Sequence, residues 1–137
     1  MSLRLSMSIG LAAVMTASCT STPAQQVHSP KAQKELAEAL AGRTPGAPVD
    51  CLPNWRTSNM EIIDDYTIIF RDGRTVYVQN PRGGCNGIGS GAYTLVTRPF
   101  GTNQLCRGDI NRVVDLRTGM GGGSCVFNAF VPYTRPK

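Results

Sequence analysis

Two runs of β-branched and aromatic residues, Thr67-Ile68-Ile69-Phe70 and Thr75-Val76-Tyr77-Val78, flank Arg71-Asp72-Gly73-Arg74. Asp-Gly tolerates the positive φ angles of a type I′ turn, so the segment is expected to fold back as a β-hairpin. A two-residue turn there pairs Phe70 with Thr75, Ile69 with Val76 and Ile68 with Tyr77. Side chains alternate across a strand, so this register puts apolar groups on both faces. Such a hairpin belongs in the centre of a barrel or a sandwich.

The rest of the chain supports that class. Further strands are expected at 60–63, turning at Asp64-Asp65, and at 92–97, 110–116 and 126–131, each bounded by Gly, Pro, Asn or Asp. Six short strands with no amphipathic helix among them indicate an all-β fold, a small antiparallel barrel or a two-layer sandwich. A length of 137 residues suits one domain, and a hydrophobic share of 41% excludes a disordered chain.

The N-terminal stretch is of another kind. Residues 1–18 carry a single charge, Arg4, followed by an uncharged run too short to span a bilayer, the pattern of a secretory signal peptide. The run closes on Met15-Thr16-Ala17-Ser18-Cys19, which resembles the lipobox of bacterial lipoproteins. The resemblance implies cleavage before Cys19 and its acylation. Thr20, in place of Asp, implies the periplasmic face of the outer membrane. The expected organisation is therefore a lipoprotein signal peptide over 1–18, a lipidated tether over 19–46 and a cysteine-framed β domain over 47–137. Within the tether, Ser29 caps and Pro30 opens a short helix at about 31–41. Ala32, Leu36, Ala39 and Leu40 form one narrow stripe and Gly42 stands at its C-terminus. An isolated helix this short is marginal in water, so it reads as a spacer, with docking onto the domain or a partner as the alternative.

With Cys19 acylated, Cys51, Cys85, Cys106 and Cys125 form an even set in an oxidising compartment and are expected as two disulfides. A hairpin of 110–116 with 126–131, turning within 118–124, puts Cys125 at the turn and Cys106 beyond the open end. At about 3.3 Å per residue that separation is too great for a bridge. Two pairings stay open: Cys51–Cys125 with Cys85–Cys106, or Cys51–Cys106 with Cys85–Cys125. No C-x-x-C pair exists and the single His28 lies in the tether, so no metal site is expected.

Chemistry is sparse. The run from Gly83 to Gly91 lacks the lysine and following helix of a phosphate loop, and Gly119 to Gly123 reads as a flexible hairpin loop. Glu61, Asp64, Asp65, Asp72, Asp109 and Asp115 are the domain's acid–base candidates, several of them where turns favour Asp. No histidine remains in the domain to activate a hydroxyl. Arg107-Gly108-Asp109 spells an adhesion tripeptide but is expected to turn the chain into the next strand. Trp55-Arg56 and Tyr77 suit core as well as an aromatic contact. From residue 47 onward ten basic residues face seven acidic ones, a balance suited to lipid phosphates or anionic envelope polymers. The compartment excludes nucleic acid.

Asn80 with Cys85-Asn86-Gly87-Ile88, Leu105-Cys106-Arg107-Gly108-Asp109, and Cys125-Val126-Phe127-Asn128-Ala129-Phe130-Val131-Pro132 together resemble a domain of unknown function found in small exported bacterial proteins, many of them lipoproteins. The resemblance spans about residues 51–132, Tyr77 and 67–70 included. It implies a cysteine-framed β domain in the cell envelope and carries over no established activity, ligand or catalytic residue; no catalytic, cofactor or metal residue is expected. The expected function is a non-enzymatic, tethered module for a protein partner or an anionic envelope component. The alternatives are a small hydrolase built on Asp109 with a second carboxylate, or a purely structural envelope-stress protein.

Overall fold

The computed structural model describes residues 28–52, 59–98 and 103–137. The leader, Cys19, and Trp55-Arg56 lie outside these residues. Among these residues one α-helix, α1 (Pro30–Leu40), precedes ten strands: β1 (Thr44–Pro45), β2 (Cys51–Leu52), β3 (Met60–Asp64), β4 (Thr67–Asp72), β5 (Thr75–Gln79), β6 (Tyr93–Thr97), β7 (Leu105–Cys106), β8 (Ile110–Asp115), β9 (Gly121–Val126) and β10 (Phe130–Thr134). They form an antiparallel five-stranded sheet ordered β1-β10-β5-β4-β3, a three-stranded sheet β6-β8-β9 and a two-stranded ribbon β2-β7. The architecture is a small all-β sandwich, not a closed barrel.

The central hairpin forms with a register two residues from the expected one. Asp72 faces Thr75, Phe70 faces Tyr77 and Ile69 faces Val78, so the turn residues are Gly73, at φ +55°, and Arg74. A slip of two preserves which face each side chain occupies, whereas a slip of one reverses it. The two-sided burial therefore holds. Thr67, Ile68, Ile69 and Phe70 are all buried. Ile68 and Phe70 enter the main core with Leu52, Ile88, Leu95, Leu105, Val113, Phe127 and Phe130 between the sheets. Ile69 joins Ile63, Val76 and Val78 on the opposite face.

That opposite face is covered by α1. Ala32 and Ala39 are buried against it, with Leu36 and Leu40 packed beside them. The capping is as the residues dictate: the Ser29 side chain accepts the Ala32 amide, Pro30 starts the helix, and Gly42 takes φ +67° just past Ala41. Small alanines bring the helix backbone close to the sheet. At its N-terminus His28 Nδ1 pairs with Asp64 Oδ2, and the His28 ring meets Tyr66 edge-on. The helix is thus a third layer of the domain and not a spacer. The sheet's second apolar face needs a cover, and this stripe supplies it. Ala32→Asp puts an unpaired charge into that contact, with an expected cost of about 2–4 kcal/mol. Helix undocking caps the loss, so amide exchange should accelerate over α1 while β8 and β9 stay protected.

The glycine cluster and the last expected strand also fold differently. Gly121–Val126 is a strand, not a loop, and pairs with β8 so that Asn111 faces Cys125. The Tyr93 ring lies over Gly122, where an added Cβ would sit 3.0 Å from it. Glycine here makes room for an aromatic side chain that closes the strand surface. The 126–131 strand is broken by a crossover at 127–129, which carries the chain from one sheet to the other. Phe127 and Phe130 are both fully buried; three residues apart in one strand they would point to opposite faces. The crossover is held by Gln79, whose amide donates to Asn128 O at 2.8 Å and accepts from Asn128 N at 2.9 Å.

The β8–β9 turn is ordered by Asp115. Its Oδ1 accepts the Arg117 and Thr118 amides at 2.8 and 2.9 Å. These bonds, Thr118 first and then Arg117, hold its carboxyl below the usual carboxylate range. A depressed folded value means that this stabilisation is present above the ordinary pKa of about 3.9 and fades as pH falls through the lower folded value. Hairpin amide protection should therefore drop below pH ~4, and Asp115→Asn should flatten that dependence, as hydrogen exchange across pH checks.

Candidate functional site

The cysteines resolve one of the two pairings left open. Cys51 is bridged to Cys106 and Cys85 to Cys125, with Cα–Cα distances of 4.0 and 5.1 Å. Cys106–Cys125 is not formed, but the distance reasoning behind its exclusion fails. Because the glycine cluster is a strand, Cys125 stands opposite Asn111 at the open end of the hairpin, the end Cys106 approaches. What settles the partner is the ribbon, where Cys51 directly faces Cys106.

The acid–base candidates have structural partners. Asp64 accepts the Tyr66 amide at 2.8 Å besides meeting His28. Asp65 Oδ1 accepts the Gly89 amide at 2.8 Å, and its carbonyl accepts Cys85 N at 2.6 Å. The glycine-rich loop thus directs amides at the protein's own Asp65. Gly84, at φ +79°, is obligatory because a Cβ there would lie 2.6 Å from the Tyr66 ring. Asp109 Oδ2 accepts the Cys106 amide at 2.7 Å and closes the β7–β8 turn. Asp72 flanks the central turn. In the adhesion-like tripeptide, Arg107 pairs with Asp50 at 3.3 Å and Gly108 takes φ +94°, so the three residues form the expected turn. Tyr77 is half-buried against the main core.

The feature that sequence reasoning missed is an open cleft of about 240 Å³ beside the C-terminal end of α1. It is lined by Glu35, Glu38 and Arg43 from the helix and its exit, Glu61 of β3, Arg71 of β4, and Arg135 just after β10. Arg71 donates from Nε and Nη2 to Glu61 Oε2 at 3.1 and 2.8 Å. Glu35 and Glu38 lean along the helix toward Lys31 and Lys34, at 3.7 and 3.9 Å. Arg43 and Arg135 have no ion-pair partner within 4 Å among the described residues. Arg43 Nε is moreover buried without any hydrogen-bond partner. Desolvation, then the like charges of Arg135 and Arg71, push Arg43 below the usual arginine range.

An arginine stays protonated despite such a shift, so the guanidinium is a fixed cation with an unused donor. An anion held at the cleft-facing ends of these side chains would offset the mutual repulsion of Arg43, Arg71 and Arg135, which Glu61 offsets at Arg71 alone. The chemistry available is therefore oxyanion binding. Arg43 follows the helix C′ glycine, Arg71 is in a hairpin arm and Arg135 in the tail. Only the strand order β10-β5-β4-β3 under α1 brings them together. No family model, curated protein or solved structure matches the chain.

Proposed function

We propose that this chain is a non-enzymatic, lipid-anchored module of the bacterial cell envelope that binds a carboxylate or phosphate group of an envelope component in the cleft of Arg43, Arg71 and Arg135. The observation that carries the reading is the convergence of three guanidinium groups on one cleft, two of them, Arg43 and Arg135, without an ion-pair partner among the described residues. The lipobox-like Met15 to Cys19, the resemblance to small exported proteins and two disulfides fitting an oxidising compartment support the location. The carboxylates Asp64, Asp65, Asp109 and Asp115 already serve turns and loops, which favours binding over acid–base catalysis.

The test titrates the full chain with polyphosphate and, in a parallel arm, with polyglutamate, to separate phosphate from carboxylate ligands. Arg43→Gln and Arg135→Gln are each expected to weaken binding by roughly tenfold, the loss of one charge-assisted hydrogen bond. Arg43→Lys should weaken it too, since lysine keeps the charge but loses the planar fork that meets an oxyanion with two donors. Equal affinity of the wild-type and Gln variants in both arms overturns the proposal.

A further inference from the structure

The exposed apolar residues are not scattered evenly. The two most exposed large hydrophobic side chains among the described residues, Met120 at 70% and Leu116 at 63%, occupy the same β8–β9 turn. Exposed Arg117 stands between them. The turn is not loose: Asp115 clamps the Arg117 and Thr118 amides, and the Asp115 amide donates to Met120 O at 2.9 Å. An ordered turn that holds two apolar side chains in solvent, with a cation beside them, has the make-up of an interfacial contact.

The path of the chain indicates what covers it. His28, where the described fold begins, is fixed to Asp64. The Asp64–Asp65 backbone lies against Gly89, close enough that a Cβ there would be 2.9 Å away. Three residues beyond Gly89, the carbonyl of Ala92 accepts the amide of Leu116 at 2.9 Å. The entry point of the N-terminal segment and the Leu116–Met120 turn therefore share one end of the sandwich. Cys19 precedes His28 by nine residues, a reach of at most about 32 Å. Lys31 and Lys34, in the first turns of α1, are strongly exposed at 85% and 78%; they suit an anionic surface on that side. The arginine cleft lies at the other end of α1, about 16 Å along its axis.

We infer that the Leu116–Met120 turn rests in the interfacial layer of the bilayer that carries the N-terminal anchor, so that the domain stands on the membrane with its arginine cleft facing away. The inference rests on the anchoring proposed above, and its test separates the two. Met120 is its own probe, since hydrogen peroxide oxidises an accessible thioether to the sulfoxide with release of water. The full, lipidated chain is placed in phosphatidylethanolamine–phosphatidylglycerol vesicles, and Cys19→Ala protein without vesicles is the reference. Sulfoxide formation is followed by mass spectrometry, with half-buried Met60 as internal standard. Met120 is expected to oxidise at least about fivefold more slowly on vesicles, with Met60 unchanged. Leu116→Glu, a change at an exposed site, should return Met120 to the reference rate while the chain still floats with the vesicles. A floating chain whose Met120 oxidises at the reference rate overturns the inference and leaves the anchor standing. A mature Cys19→Ala chain, without residues 1–18, that floats as fully as the lipidated one overturns the acyl anchor, and slow Met120 oxidation on those vesicles upholds the turn contact.

Discussion

Phe127→Ala is expected to cost about 3–5 kcal/mol, at the upper end for a single side chain in a domain this small. Phe70, Phe127 and Phe130 form a closed aromatic triangle at the centre of the main core. Ring centroids lie 5.7 to 6.2 Å apart and every pair meets edge to face. Each ring therefore contributes buried area and a favourable quadrupole contact to both others. The three come from β4, the crossover and β10, so the triangle fastens the two layers at the point where the chain changes sheet. Collapse around a missing Phe127 is resisted by its backbone. The Phe127 amide donates to Asp109 O at 3.1 Å and its carbonyl accepts from Gly108 N at 3.0 Å. A site that cannot relax keeps its cavity, which places the cost high in the range. Against a typical total stability of about 5–15 kcal/mol, the variant should retain little reserve. Urea unfolding with both disulfides intact checks this: the midpoint should fall sharply with an unchanged slope. A loss under about 1.5 kcal/mol would mean that Phe70 and Phe130 close the gap and that the triangle is not a rigid unit.

The same triangle shows where reading the chain succeeds and where it stops. Local rules carry well: Asp72-Gly73 marks the central hairpin, Ser29-Pro30 and Gly42 bound the helix, and turn aspartates sit where turns need them. The alternation of Ile68 and Phe70 against Ile69 already calls for two covered faces. What covers the second face is α1, but the demand lies in residues 67–78 and the supply in 30–40, and no local rule joins them. The glycines mislead for a related reason. Gly121 to Gly123 have strand-breaking composition, yet Tyr93, some thirty residues earlier, lies over Gly122 and restores the surface a side chain would have provided. Mistaking that strand for a loop displaced the turn and undid the distance reasoning for Cys106 and Cys125, although the excluded bridge is not formed. The arginine cleft was least legible of all, because its members have no common spacing and meet only through strand order.

Removing the two disulfides singly should rank them clearly, with Cys85→Ala/Cys125→Ala the more damaging pair. Sequence separations of 40 and 55 residues give either bridge about 4 kcal/mol of loop-closure stabilisation. Chain entropy alone therefore predicts near equality, with Cys51–Cys106 marginally ahead. Packing reverses the order. Cys85 and Cys125 are buried within the main core at 0% and 3% exposure, against Ile88, Leu95 and Val113. Cys51 and Cys106 are only half-buried, on the two-stranded ribbon. Replacing the inner pair by alanine leaves space where two sulfurs were, adding about 1–2 kcal/mol. The inner bridge also ties the glycine-rich loop, which holds Asp65, to β9, whereas the outer one joins strands already paired. Two measurements follow. Denaturant unfolding of the two double variants should differ by that increment in favour of Cys51→Ala/Cys106→Ala. Stepwise reduction of the wild type, trapped by alkylation and mapped by mass spectrometry, should open Cys51–Cys106 first because its sulfurs are nearer solvent. Equal stability of the two variants would assign the whole effect to the unfolded chain. Reduction of Cys85–Cys125 first would mean that the loop carrying it opens before the ribbon does, and would place the weakest part of the fold at the glycine-rich loop.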